Sequence, residues 1–213
     1  MNILAIDSSG SSLTLALRKN GETFTFNQDH QVRASQIILS SIDEILSLNN
    51  LKIGDIDAIL FNKGPASFTG TRVAASVTQA IGYTINIPVI GISSLSLMAF
   101  IYHKNSNNTN ICCIKKAYGN MLYRGNFSIS ENKYEPLTEI ELCATEDLLF
   151  DDSVNYIADN EAIISKFIGK FVDGIITTDA CTILDYVDIG FDFGNNFELV
   201  KTFPDYANHK VAT

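Results

Sequence analysis

The most constraining feature of the sequence is an order of secondary-structure elements that occurs twice. The first half is predicted to form three strands followed by helix, strand, helix, strand and helix, and the second half repeats that order. A polar stretch at residues 104–110 separates the halves. With 213 residues, the chain has room for two units of about 100 residues each. The sequence therefore predicts one α/β unit that is used twice.

Local patterns locate the individual elements. The dipeptide Asn20-Gly21 is a type I′ turn signal between two alternating runs, and it predicts a hairpin. Strands are predicted at 2–7, 13–17, 22–27, 56–61, 88–92, 111–115, 121–129, 134–142, 154–158 and 174–177, and helices at 33–48, 69–84, 93–104, from 145, at 160–168 and from 179. By analogy of fold, this order predicts a two-lobed, actin-like α/β fold of the ASKHA, RNase H-like class, with lobes at 1–105 and 106–213.

Composition limits the class of function. The net charge of −9 opposes binding to nucleic-acid phosphates, so any such contact is expected to be local or to come through a partner. The longest apolar runs are far shorter than a membrane span, and the N-terminus lacks a basic signal-peptide region, which predicts a cytoplasmic protein. The four cysteines form no CxxC pattern and the three histidines show no metal-ligand spacing, so no metal site is predicted.

In an actin-like fold, the turn after the first strand can contact nucleotide phosphates. Here that turn begins with Asp7, which is interpreted either as a magnesium or phosphate-site residue or as the residue that closes the hairpin turn. A working site would want a second carboxylate in the other lobe, where the chain has Lys115, and the stretch 159–161 lacks a glycine-rich adenosine clamp. We therefore predict no catalytic, cofactor-binding or metal-binding residue. The alternative is an ATPase or phosphotransferase with its site at Asp7.

The most distinctive segment, residues 64–72, lies between a predicted strand and helix. It lacks the lysine of a Walker-type phosphate loop, so it is interpreted as a tight turn. The helix that follows has one face of small residues, which are Thr71, Ala75, Thr78 and Gly82. Such a face allows another helix to approach closely. That helix could belong to the same chain or to a second protein.

This segment, Gly64-Pro65-Ala66-Ser67-Phe68-Thr69-Gly70-Thr71-Arg72, resembles the GPGSFTG[VT]R signature of the TsaB (YeaZ) family. Residues 3–9 resemble the ILAxDTS opening of that family, residues 88–95 its pVxGvSSL segment, and residues 204–206 its PxY tail. The resemblance implies an actin-like fold that has lost catalysis. It also implies dimerisation with the paralogous TsaD, whose metal-dependent site transfers threonylcarbamoyl to the adenosine beside the tRNA anticodon, and cooperation with the ATPase TsaE.

The predicted function is thus a non-catalytic scaffold and dimerisation subunit that contacts tRNA only through the complex and can form a homodimer when alone. The partner surface is predicted on the first two helices of the N-terminal lobe and the preceding segment. Its predicted residues are Gly64, Pro65, Ser67, Phe68, Thr69, Gly70, Thr71, Arg72, Ala75, Thr78 and Gly82. A glycopeptidase is a third alternative, but the chain shows no metal-binding histidine pair or nucleophile-base arrangement.

Three departures from the family pattern bear on these expectations. Ala66 replaces a glycine, so the segment has to avoid positive φ at that position or accept strain. The stretch 33–36 replaces a His-Ser-Glu helix start, and 115–117 replaces Asp-Ala-Arg. These changes weaken nucleotide binding further, whereas a scaffold role depends on packing surfaces rather than on single reactive groups.

Overall fold

The structure is a computed structural model that describes residues 1–28, 33–66, 69–131, 133–134, 136–166 and 172–188. The described elements are β1 (Ile3–Asp7), β2 (Leu13–Lys19), β3 (Glu22–Gln28), α1 (Ala34–Leu48), β4 (Ala58–Gly64), α2 (Gly70–Ile85), β5 (Val89–Ser93), α3 (Ser94–Ser106), β6 (Asn110–Lys116), β7 (Met121–Ser128), β8 (Glu141–Ala144), β9 (Asn155–Ala158), α4 (Glu161–Lys166), β10 (Val172–Ile175) and α5 (Ala180–Asp188). Short 3-10 helices lie at Ile53–Asp55 and Thr145–Asp147.

The strands form two five-stranded sheets with the same topology. The first sheet has the order β3-β2-β1-β4-β5 and the second has the order β10-β9-β6-β7-β8. In each sheet, the first strand of the half pairs antiparallel with the next strand and parallel with the fourth. The predicted duplication and the actin-like fold class are therefore confirmed.

The chain divides into two compact units, but the helices do not follow the predicted lobes. Of the described residues, the first unit comprises Met1–Ser93 and residues 178–188, and the second comprises Ser94–Thr177. Helix α3 contacts β6 and β7, so it belongs to the second unit, whereas α5 contacts β1, β2 and β4 of the first. The structural division thus falls at Ser93, ahead of the polar stretch. Whether 1–105 and 106–213 are independent domains stays a prediction.

Each unit has its own apolar core. In the first, the inner face of β1 and β2 packs against the periodic face of α1, which includes Ile38, Ile42 and Ile45. In the second, Ile114 and Tyr156 pack with Ile163 of α4. The helical spacing of the isoleucines in α1 places them on one face, and packing of that face against the sheet supplies most of the stability of the helix.

Turn chemistry explains several of the boundaries. Asn20 and Gly21 have φ of 51° and 84°, the left-handed pair that the type I′ turn requires, which confirms the predicted hairpin. Helices α1, α2 and α3 are each followed by an asparagine with positive φ, namely Asn50, Asn86 and Asn107. Asparagine tolerates this conformation better than most residues, so it ends a helix where glycine is absent.

Two predictions in the second half were wrong in detail. The strand predicted at 134–142 is instead β8 at Glu141–Ala144, and among the described residues before it one isolated bridge, Phe127 to Pro136, reaches β7. Pro136 has no N–H, so a regular ladder cannot continue through it. The helix predicted from residue 145 is a single 3-10 turn, and the equivalent of α1 is therefore missing from the described part of the second half.

Candidate functional site

Asp7 lies at the end of β1 and is only 3% exposed. Its Oδ1 accepts a hydrogen bond of 2.7 Å from the backbone N–H of Ser9, two residues on, which is the turn-closing contact. Its Oδ2 accepts hydrogen bonds from Asn62 Nδ2 at 2.9 Å and Thr178 Oγ1 at 3.1 Å. Because the carboxylate is buried and held by three donors of the same unit, it does not present the open oxygens that a hydrated magnesium ion needs.

The second unit has a different pair at the equivalent position. The β1–β4 ladder ends at Ile6 and Phe61, one residue before Asp7 and Asn62, and the β6–β9 ladder ends at Ile114 and Ala158, one residue before Lys115 and Asp159. Register therefore makes Lys115 the counterpart of Asp7 and Asp159 the counterpart of Asn62. This correspondence agrees with the sequence prediction that Lys115 stands where a second acidic ligand would be wanted.

The carboxylate of Asp159 accepts hydrogen bonds from residues of its own unit. Its Oδ1 accepts hydrogen bonds from Lys116 N at 3.3 Å and Asn160 Nδ2 at 2.8 Å. Burial raises the pKa of its carboxyl, and the charge of Lys115, which is 7% exposed, opposes that rise. The pair places a cation where a nucleotide site would want a metal-binding carboxylate.

The segment between β4 and α2 is held at both ends by the β1 turn region. Asn62 Oδ1 accepts a hydrogen bond of 3.0 Å from Gly64 N, and Ser8 Oγ donates one of 2.9 Å to Gly70 O. Gly70 is required by space, since an added Cβ would lie 1.9 Å from the Ser8 carbonyl oxygen. Gly64 has φ of +94°, a conformation that favours glycine. Steric constraints therefore explain why both positions 64 and 70 of this segment are glycine.

The small-residue face of α2 is buried within the first unit, so the prediction that it is an exposed partner surface is corrected. Ala75 is 3% exposed and Thr78 is fully buried, with its hydroxyl donating to Ala74 O at 2.8 Å. A Cβ on Gly82 would lie 2.2 Å from Val89 Cγ2 of β5. Thr71 is buried as well. Small residues are needed on this face because α2 packs closely on its own sheet. The close neighbour is therefore internal, as in the first of the two alternatives, but it is a sheet rather than a helix.

The other predicted interface residues have mixed environments. Gly64 and Pro65 are buried, Gly70 and Arg72 are half-buried, and Thr69 is exposed. Ser67 and Phe68 lie outside the described residues. A partner role for this segment stays a prediction.

Sequence analysis missed the exposed apolar side chains on the outward side of α1 and α2. Tyr83 on α2 is 80% exposed and Leu39 on α1 is 64% exposed. Ser76 and Ala80 share the exposed side of α2, and the two helices contact each other. The signal was present, because Leu39 falls between the core positions Ile38 and Ile42 and so breaks the periodicity of α1.

The described residues were also searched for a reactive thiol and for a metal-binding cluster. Burial raises the pKa of Cys112 to about 12 and that of Cys113 well above its ordinary value, which keeps both thiols protonated at neutral pH. Within the ranges given above, no three His, Cys, Asp or Glu side chains gather closely enough to hold a metal ion. Among the described helices, none is long and apolar enough to cross a membrane.

Comparison with known proteins agrees with the sequence motifs. The family model described as "TsaD: tRNA N6-adenosine threonylcarbamoyltransferase" matches residues 28–189, about three quarters of the chain. The chain belongs to this family. It is also 28% identical to the tRNA threonylcarbamoyladenosine biosynthesis protein TsaB of Haemophilus influenzae, over 99% of the chain and 95% of that protein. The TsaB of Buchnera aphidicola subsp. Acyrthosiphon pisum is 34% identical over 46% of the chain and 44% of that protein.

Solved structures share the fold. A Pseudomonas aeruginosa protein described as having similarity to peptidase YeaZ superposes with a TM-score of 0.80 at 18% identity, covering 97% of the chain and 99% of that protein. YeaZ from Pseudomonas aeruginosa superposes with a TM-score of 0.73 at 18% identity, covering 88% of the chain and 92% of YeaZ. The resemblance to TsaB (YeaZ) proteins, and with it a general role in tRNA threonylcarbamoyladenosine biosynthesis, is confirmed.

Proposed function

We propose that the chain is a non-catalytic accessory subunit that supports a TsaD-like catalytic protein in placing threonylcarbamoyladenosine next to the tRNA anticodon. The observation that carries the proposal is similarity to TsaB along 99% of the chain. It is supported by the Asp7 carboxylate, whose Oδ2 already accepts hydrogen bonds from Asn62 and Thr178 of the same unit. A TsaE-like ATPase is the second expected partner. Because the net charge is −9, tRNA is expected to bind through the complex rather than to the isolated chain.

The absence of catalysis is proposed on electrostatic grounds. Phosphoryl or acyl-phosphate chemistry of the actin-like kind needs carboxylates that are free to hold a metal ion. Here Asp7 is hydrogen-bonded and buried, and its counterpart position in the second unit carries Lys115. These residues do not fit a magnesium-nucleotide site.

The partner surface is proposed on the outward side of α1 and α2. Arg72 is the charged residue of α2, and α1 carries two exposed acidic residues, Asp43 and Glu44. The exposed residues of the two helices also include Leu39, Ala80 and Tyr83. Large exposed apolar and aromatic side chains on a helix pair with few charges are typical of protein interfaces. The same side would form a homodimer in the absence of the partner.

The function is tested by co-expressing the tagged chain with the TsaD-like protein of the same organism. Co-purification is expected, and threonylcarbamoyladenosine is expected in reconstituted tRNA, measured by nucleoside mass spectrometry, only when both proteins are present. Tyr83→Arg should abolish co-purification, whereas Leu149→Arg, at an equally exposed apolar position of the second unit, should not. Formation of the modified nucleoside at an undiminished rate without the chain would contradict the proposal.

The alternative, an ATPase or phosphotransferase with its site at Asp7, is tested by calorimetry with magnesium-ATP. We expect no saturable heat from the isolated chain at millimolar nucleotide. Tight binding that disappears in Asp7→Asn, a substitution that keeps the shape of the side chain, would favour the enzyme.

A further inference from the structure

Asn62 connects three parts of the first unit through one buried amide. It is fully buried at 0% exposure, and its Nδ2 donates to Asp7 Oδ2 at 2.9 Å and to Ser9 Oγ at 3.0 Å. The same nitrogen lies 3.3 Å from Thr178 Oγ1, ahead of α5, and its Oδ1 accepts from Gly64 N at 3.0 Å. An amide is the one neutral side-chain group that offers donors and an acceptor from a single planar unit.

Hydrogen bonds hold both ends of the connection from β4 to α2. Asn62 holds Gly64, at the end of β4, while Ser8, in the turn that Asp7 closes, holds Gly70, at the start of α2. The close approach of Gly70 to the Ser8 carbonyl leaves little room for that end to move. Any change in the Asp7–Asn62 pair therefore acts on both ends of the connection that leads into α2.

We infer that Asn62 is a positioning residue, which sets the start of α2 and, through it, the outward side on which Ala80 and Tyr83 lie. The inference rests on the proposed function for the identity of the partner, a TsaD-like protein, but the geometry of the connection is independent of it. Asn62 does not touch the partner in this scheme, because it is buried beneath α2. Its effect on binding is transmitted through Gly64.

Exchanging the carboxylate and the amide between positions 7 and 62 separates an effect on the position of α2 from an effect on overall stability. Asn62→Asp sets a second carboxylate beside Asp7, and the donor to Asp7 Oδ2 is then lost unless the pair takes up a proton. In the double variant Asp7→Asn with Asn62→Asp, the amide at position 7 can accept from Ser9 N and donate to the carboxylate at position 62, which can accept from Gly64 N. One carboxylate and one amide face each other again. Thr78→Val is the matched control, since within the described part of the chain its buried hydroxyl bonds to two carbonyl oxygens of α2 itself, those of Ala74 and Ala75.

Affinity for the TsaD-like partner is measured well below the unfolding temperature. Amide hydrogen exchange is measured without the partner at Gly64, whose N–H donates to Asn62, and at Val73, whose N–H donates to Thr69 O at 3.1 Å in the first turn of α2. Asn62→Asp should weaken binding and speed exchange by about tenfold or more, and the double variant should return both to within about threefold of the wild type. Thr78→Val removes a buried hydroxyl without touching the Asp7–Asn62 pair, so it should leave affinity within about twofold and the exchange of Gly64 unchanged, whatever its effect on the unfolding temperature.

Two results would overturn the inference: a folded Asn62→Asp variant with wild-type affinity and exchange, or a double variant no better than the single. If Asn62→Asp does not fold, the double variant carries the test, and its failure to fold also overturns the inference. If the wild type itself does not bind the partner, the proposed function fails, while the exchange rates of Gly64 and Val73 still decide the positioning role.

Discussion

Two alanines of α2 should respond oppositely to the same substitution. Ala75 is 3% exposed and packs in the core of the first unit, whereas Ala80, five residues later on the same helix, is exposed. Replacing either with arginine introduces the same charge and nearly the same helix propensity. The comparison therefore isolates burial as the variable.

The magnitudes follow from the two environments. Arginine at position 75 would place an unpaired charge in the core, at a cost of about 3–5 kcal/mol, and would overfill it for about 1–3 kcal/mol more. A domain of this size is stable by only about 5–15 kcal/mol, so Ala75→Arg should be largely unfolded or severely destabilised. Ala80→Arg should change the free energy of unfolding by less than about 0.5 kcal/mol. In a buried interface, however, the same arginine should weaken partner binding by about 2 kcal/mol or more, roughly thirtyfold.

The assay is thermal unfolding by circular dichroism, combined with a titration of the TsaD-like partner by calorimetry. A folded Ala75→Arg protein with wild-type stability would refute the burial of this helix face. A stable Ala80→Arg protein that binds the partner as tightly as the wild type would refute the proposed surface on α1 and α2. Ala80→Ser is the control for the second measurement, because it changes the side chain without adding charge or bulk.

Three further substitutions or conditions test separate features. Gly70→Ala should cost about 2 kcal/mol or more in stability, measured by urea unfolding, because its Cβ would meet the Ser8 carbonyl oxygen; an unchanged midpoint would contradict that contact. Burial raises the pKa of the Cys112 thiol from 9.0 to about 12, so between these pH values the folded state keeps a proton that the unfolded state loses. The free energy of unfolding should therefore fall by about 1.4 kcal/mol per pH unit across that window. Cys112→Ala should reduce this slope. Arg18→Ala should remove the two hydrogen bonds of 3.0 and 2.7 Å to Asp188 at the end of α5, lower stability by at most about 1 kcal/mol, and speed amide exchange in α5; equal exchange rates in both proteins would contradict this role.

Local chemistry in the sequence was sufficient for the fold class. The Asn20-Gly21 turn, the spacing of isoleucines in α1 and the repeated element order all depend on neighbouring residues, so pattern alone predicted them. The role of Asp7 in closing the hairpin turn was one of the two interpretations that the sequence offered. It could be read locally, because the hydrogen bond to Ser9 N joins residues only two positions apart. The order of elements also showed that Lys115 occupies the position in the second half that Asp7 occupies in the first.

Only the tertiary structure decided which surfaces and partners these residues have. The stripe of small residues through Ala75 is compatible with an internal or an external neighbour, and only the approach of α2 to its own sheet identified the neighbour as internal. The closure of Asp7 by Thr178 joins residues 171 positions apart, and no local pattern predicts it. Helix α5 likewise belongs to the first unit because its apolar face finds β1, β2 and β4 there. Sequence periodicity shows that a face must be buried, but what covers it depends on contacts between residues far apart in the chain.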